Sequence, residues 1–445
     1  MHLTRRSLLA VSAASATLPA LAQGTPPAGI PYGLKPGKPY AGSKLNILAV
    51  VTPQFQALEK RQAEFTALTG ITTSWDFVPF PALQDKVTSI GVGSDDTYDV
   101  VNYLDGWGPP NAPWFVRLDP LLKRDGLSMD RYPAGFVKAV SFQGAVIGLP
   151  MRSHGQLFYY RKDVFDQIGL RPPESWDDVV AAGKAIRAKR SDIEPLALSY
   201  HNDGTRQALF HWCDFIWSSG NRILDDQMRP GWTTEGAIKA TEYYVGLLTR
   251  DKVANPASIS FVEQDARVSF QQGKSAMIPI WEWAYSPMVT PGQSVLTAAQ
   301  VGFTRWPSYE GKAITCASTL PFSLNGFSRK QDAAWEFMKW LSNPDLDKRN
   351  AIEREVGGLK IINNVVNETS SFLDPEVNAA NAGVPRACYD SLKASDTLPM
   401  IPEWPQVGDL LANAIEQAAG GGNVRALITK AAADATSVLK QAGYN

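Results

Sequence analysis

From residue 44 onward the chain alternates short apolar runs with segments of helical period, and few architectures accept that order. Residues 44–51 form an apolar run closed by Thr52-Pro53, as a buried strand would be. Residues 56–68 place Leu58, Ala63, Phe65 and Leu68 at near-helical spacing and stop at Gly70, a good helix-terminating residue. A second strand is expected over 71–78, a helix over 83–90 and a third strand over 99–103. Strand, helix, strand, helix, strand requires parallel pairing, with the helices on the sheet faces.

The pattern resumes beyond residue 160. Helices are expected over 164–169, 176–189, 207–219, 234–250 and 265–272, and strands over 196–199, 276–280 and 300–305. Ser175, after Pro172-Pro173-Glu174, is placed to cap the helix that follows. Residues 331–342 form a strongly amphipathic helix, with Ala334, Phe337, Met338 and Leu341 on one face. Two last helices, 407–419 and 423–440, flank Gly420-Gly421-Gly422. A chain of 445 residues is too long for one ordinary core and suits two or three domains. Its formal net charge of -1 gives no basic surplus for nucleic acid or an anionic membrane.

The first residues read as an export signal. Arg5 and Arg6 precede an uncharged stretch over 7–18, and Ala20-Leu21-Ala22 has the small-x-small form of a cleavage site. A signal peptide is therefore expected over 1–22, with the mature chain starting at Gln23. Both a Sec signal and a twin-arginine signal fit residues 4–9. No Cys lies near the cleavage point, so no lipid anchor is expected and the mature protein is placed in the periplasm. Residues 23–43, rich in Pro and Gly, are read as an extended arm. Cys213, Cys316 and Cys388 show no metal spacing; one disulfide or three buried free thiols both fit. His154, His201 and His211 are too scattered for a metal cluster, and no phosphate-cradling Gly-rich loop is present. No cofactor is expected.

Several segments, in order, resemble the family 1 extracellular solute-binding proteins, the maltose-binding-protein-like receptors of ABC importers. They are Phe65-Thr66-Ala67-Leu68-Thr69-Gly70-Ile71, Tyr98-Asp99-Val100-Val101 and Leu118-Asp119-Pro120-Leu121-Leu122. Further on come Gly148-Leu149-Pro150, Leu157 to Phe165, Pro173 to Asp178, Phe270 to Met277 and Ala333 to Leu341. Cys316-Ala317-Ser318 departs from the glycines of many members, and the 23–43 arm is longer than usual. The resemblance implies two α/β lobes of the type II periplasmic-binding-protein fold, with a ligand cleft between them. By that analogy the first lobe takes 44–151 and a return over 302–327, and the second takes 152–301 and 328–445. It also implies a membrane permease with a separate ATPase as partner, and a monomer is expected.

A sugar needs aromatic planes for its C–H faces and fixed donors and acceptors for its hydroxyls, since an unpartnered buried hydroxyl costs about 1 kcal/mol or more. Trp281-Glu282-Trp283-Ala284-Tyr285, after a strand, best meets that need, and family members stack ligands on aromatics there. Packing at a hinge corner is the plain alternative. Tyr103-Leu104-Asp105-Gly106-Trp107 also follows a strand, with Asp105 either a solute acceptor or a turn residue before Gly106. Arg152, Ser153 and His154 come just after the expected crossing at Pro150. Thr52, Pro53, Gln54 and Gln84 form a further group. Asn202 and Asp203, beside His201, are as well explained by a solvated loop. Glu403 and Trp404 are placed to close the site from the other lobe. Arg354, with Glu355, suits either the cleft or a surface ion pair. Only Arg152 and Arg354 are basic among these, so a neutral sugar or sugar alcohol is preferred over a phosphorylated polyol, a peptide or an amino-acid derivative. A secreted glycosidase using Glu282 is the enzyme alternative, but no second carboxylate has a comparable setting. There is also no Gly-x-Ser-x-Gly or His-Glu-x-x-His motif.

Overall fold

A computed structural model describes residues 32–204, 207–361 and 365–444. The expected signal peptide and the first part of the arm lie outside the described residues. Two sheets organise the rest. The first runs in the order Phe322–Leu324, Val100–Asn102, Lys44–Val50, Thr72–Val78. Its three N-terminal strands are parallel, with Ile47 opposite both Trp75 and Val100, and Phe322–Leu324 closes one edge antiparallel. Parallel neighbours need crossovers, and the helices Pro53–Lys60, Gln62–Thr69 and Phe80–Gly93 provide them. The periodicity over 56–68 suggests one helix, but the chain breaks it at Arg61 (φ -88°, ψ -3°), whose guanidinium lies 2.6 Å from Glu353.

The second sheet is mixed. Its order is Ser395–Asp396, Thr315–Ser318, His154–Arg161, Ser275–Trp281, Glu194–Leu196, with Val301–Arg305 also paired to His154–Arg161. His154–Arg161 is buried at every position, as a central strand with little solvent on either face must be. The helix Trp176–Lys189 begins at Ser175 as expected. The Ser175 hydroxyl accepts from the Asp178 N–H, and the Asp178 carboxylate accepts from the Ser175 N–H.

Each sheet has its own core, one around Leu48, Phe55, Val101 and Phe322, the other around Tyr159, Trp176, Trp212 and Ile278. The boundaries between lobes differ from those expected. Val301–Arg305 does not return to the first lobe but pairs in the second, from Val301 opposite Arg161 to Arg305 opposite Leu157. Re-entry comes at Thr319, between Thr315–Ser318 in one sheet and Phe322–Leu324 in the other. Helix Gln331–Leu341, expected in the second lobe, buries Trp335, Phe337 and Trp340 in the first core, with Phe337 edge-on to Phe65 at 5.3 Å. Periodicity tells which face of a helix is buried, not which core receives it.

At the crossings the chain is tied to itself. The hydroxyls of Ser153 and Thr319 are 3.0 Å apart, and the Met151 N–H donates to Thr319 Oγ1 at 3.2 Å. The end of the arm is docked rather than free: Leu34 enters the first core and the Lys35 N–H donates to Glu336 at 2.9 Å. Cys213, Cys316 and Cys388 are buried free thiols. Among the described residues no helix is long and apolar enough to cross a membrane.

Candidate functional site

Parallel strands bring their carboxyl ends to one edge of a sheet, and the loops that follow are free to carry side chains. In the first lobe these loops supply Val51 and Thr52, Phe80, and Leu104 to Trp107. In the second lobe antiparallel pairing sets Trp281 opposite Gln156 and Ser318 opposite His154, so that one end of the sheet gathers all of them. Helices Gln207–Ser218 and Trp404–Ala419 contribute their first residues and Phe210. Together these groups line a cavity of about 340 Å³ between the lobes, a size in the ordinary range for small-molecule sites.

Aromatic surface dominates the walls. Trp107 and Phe80, with ring centroids 5.4 Å apart, come from the first lobe. Trp281, Trp283, Phe210 and Trp404 come from the second, with Phe210 edge-on to Trp281 at 5.1 Å. The Trp281 indole N–H donates to Gln207 Oε1 at 3.0 Å, which fixes its plane.

Polar groups stand among the rings. Burial pushes the Asp105 carboxyl up to about 7, although it accepts from the N–H groups of Gly106 (2.7 Å) and Thr319 (2.9 Å). Burial likewise holds His154 below the usual imidazole value, against the pull of Glu282. His154 Nδ1 is 2.8 Å from Glu282 Oε1, and Glu282 Oε2 accepts from the Gly155 N–H at 3.1 Å. A neutral ring that donates through Nδ1 keeps Nε2 as an acceptor. Arg152 has a left-handed backbone, φ 45°, and its guanidinium stands 6.0 Å from the Trp283 ring centroid. It makes no hydrogen bond or ion pair with the described residues.

Of the residues singled out in the sequence, Asp105, Trp107, Arg152, His154, Trp281, Trp283 and Trp404 line this one cavity, and Gln54 lines an adjoining chamber. Others do not reach the cavity. Tyr285 begins the helix Tyr285–Val289, which rotates it into the second core against Phe303 at 5.6 Å. Tyr103 is buried on Phe115 at 4.9 Å. Glu282 sits behind His154 and orients it. Gln84 is half-buried on Phe80–Gly93, away from the lining. Asn202 is bonded to Asn413 and Glu416, and Asp203 lies exposed beside it. Arg354 bonds Asn381 and the Ala351 carbonyl, a local brace far from the rings. Sequence reasoning missed Phe80, Gln207, Phe210 and Glu263. Gln207 and Phe210 are one turn apart at a helix start, a usable signal, but nothing in the pattern shows which helix end meets the cleft. Among the described residues no group of His, Cys, Asp and Glu could hold a metal ion.

Residues 49–348 match the family described as bacterial extracellular solute-binding protein. A binding protein of Brucella abortus is 25% identical over 390 residues, covering 84% of this chain and 87% of that one. The mannitol-binding protein of Pseudomonas aeruginosa is 28% identical over 337 residues, covering 73% of this chain and 71% of its own. The solved structure of an Agrobacterium radiobacter solute-binding protein in complex with ribitol superposes with a TM-score of 0.74. It is 22% identical and covers 89% of this chain and 99% of that one.

Proposed function

Because the chain belongs to the bacterial extracellular solute-binding proteins, we propose that it is the receptor of an ABC importer and that its cleft captures a sugar or sugar alcohol. One observation carries the reading: aromatic planes and hydrogen-bonding side chains from both lobes line a single cavity. Trp107 on one side and Trp281, Trp283 and Trp404 on the other offer flat surface to C–H faces. Arg152 can donate to hydroxyls, and His154 Nε2 can accept. A solute that touches both lobes favours the state in which they are closed on it, because only that state gives it all of these contacts. The mannitol-binding relative and the ribitol complex support a hydroxylated ligand.

The protein acts outside the cytoplasm, as its family does. We place it in the periplasm, carried there by the leader over residues 1–22, as a monomer that delivers its solute to a membrane permease. It is read as a binding protein without catalysis. Glu282, the carboxylate that suggested a glycosidase, is committed to His154 and the Gly155 N–H.

Calorimetry against a panel of sugars and sugar alcohols tests this. The expected result is saturable one-to-one binding of at least one member with no product formed. Hydrolysis of a glycoside, or no binding across the panel, would overturn it.

A further inference from the structure

Beside the solute cavity lies a second chamber of about 510 Å³, and Arg152 and Trp283 line both. Its charged lining is entirely cationic among the described residues: Arg152, Arg267 and Lys360. The two guanidinium carbons stand 6.0 and 5.5 Å from the Trp283 ring centroid. Arg267 donates to Gln271 at 2.8 Å, but its Nε is buried without an acceptor among the described residues. Gln54, only 1% exposed, lines the same chamber, and its Oε1 has no partner among the described residues. Buried guanidinium and amide groups left this way are unfavourable unless something completes them.

What completes the guanidinium groups has a definite charge. Glu263, on the helix that carries Arg267, lines the solute cavity and feels both guanidinium groups. Burial raises its carboxyl to about 7, and Glu282 also acts on Arg152, so the two carboxyl groups together offset part of the charge of the two inner cations. Lys360 stands exposed at the rim. The inner balance therefore suits a single negative charge better than a dianion, and guanidinium groups hold a carboxylate through short, charge-assisted hydrogen bonds.

We propose that the favoured solute is an acidic sugar derivative, with its hydroxylated body against the tryptophans and its carboxylate in the second chamber, held by Arg152 and Arg267, while a solute hydroxyl donates to Gln54 Oε1. The inference rests on the reading of the cleft as a sugar site and narrows it.

Matched pairs separate the two claims. Calorimetry would compare D-gluconate with D-sorbitol and D-galacturonate with D-galactose, with D-sorbitol 6-phosphate as the dianionic member. At least one acid is expected to bind tenfold or more tighter than its neutral partner, and that ratio should fall below threefold in Arg267→Met. Lys360→Met, at an exposed position, should lower the same ratio by a smaller factor. Equal or tighter binding of the neutral partners would overturn the acidic assignment and leave the sugar reading standing. So would a preference for the phosphate ester, or a ratio unchanged in both variants. Failure of every compound to bind would overturn both.

Discussion

Arg152 combines a backbone that L-residues avoid with a guanidinium that, among the described residues, faces the Trp283 ring and makes no hydrogen bond. A non-glycine residue in the left-handed region costs roughly 1 kcal/mol, and such strain persists where a functional site holds it. The substitution Arg152→Gly separates the two roles. It should leave the melting temperature unchanged or slightly higher and weaken solute binding by at least tenfold, about 1.4 kcal/mol. Calorimetry alongside thermal unfolding checks this, and a loss of stability with unaltered affinity would contradict it. Asp105 makes a different prediction. Its folded carboxyl titrates near 7, whereas an unfolded aspartate titrates near ~3.9. Between these values the folded protein keeps a proton that the unfolded chain has released, so this group's contribution is full below ~4 and is lost as pH rises through 7. Asp105→Asn removes that slope. The melting temperature of the parent protein minus that of the variant should therefore decrease from pH 5 to pH 8. Glu263 and Glu368, also raised by burial, are common to both proteins and cancel. A difference independent of pH would contradict the assignment.

Elements show where the sequence was readable. The strands Lys44–Val50 and Ser275–Trp281 were legible because burial on both faces leaves continuous apolar runs. The start of Trp176–Lys189 was legible because Ser175 and Asp178 are chemically suited to cap it. The site was half legible for a related reason. Strand ends such as Asp105 to Trp107 and Trp281 to Trp283 could be located, but the turn of the chain beyond them could not. A single residue, Ala284, separates Trp283 from Tyr285, and a 3-10 turn over Glu282–Ala284 is enough to send one to the cleft and the other to the core. Arg267 and Lys360 were invisible as site residues because a surface-like helix and a short hairpin meet the cleft only in the folded chain. Packing between elements is equally specific. A Cβ on Gly91, in helix Phe80–Gly93, would lie 1.8 Å from the Trp114 ring. Gly91→Ala should therefore cost about 1–3 kcal/mol by overpacking, read as a lower urea midpoint. An unchanged midpoint would mean that the indole moves aside freely.

At the scale of the whole molecule, the lobes are joined where residues 151–153 and 318–320 run side by side, tied by the Ser153 and Thr319 hydroxyls. The Ser153 N–H also donates to Asn367 at 3.0 Å, which anchors this crossing to a later segment. The cavity opens directly beside that junction, with Asp105 bonded to the Thr319 N–H at its floor. A rotation there would move Trp107 relative to the tryptophans of the other lobe, which is how the proposed closure would respond to a bound solute. The most direct test is a crystal structure of the protein with the tightest-binding sugar or polyol from the calorimetric panel. The account predicts the solute between Trp107 and at least one of Trp281, Trp283 and Trp404, with hydrogen bonds to side chains of both lobes, Arg152 among them. A solute bound to one lobe alone, or outside this cavity, would contradict it.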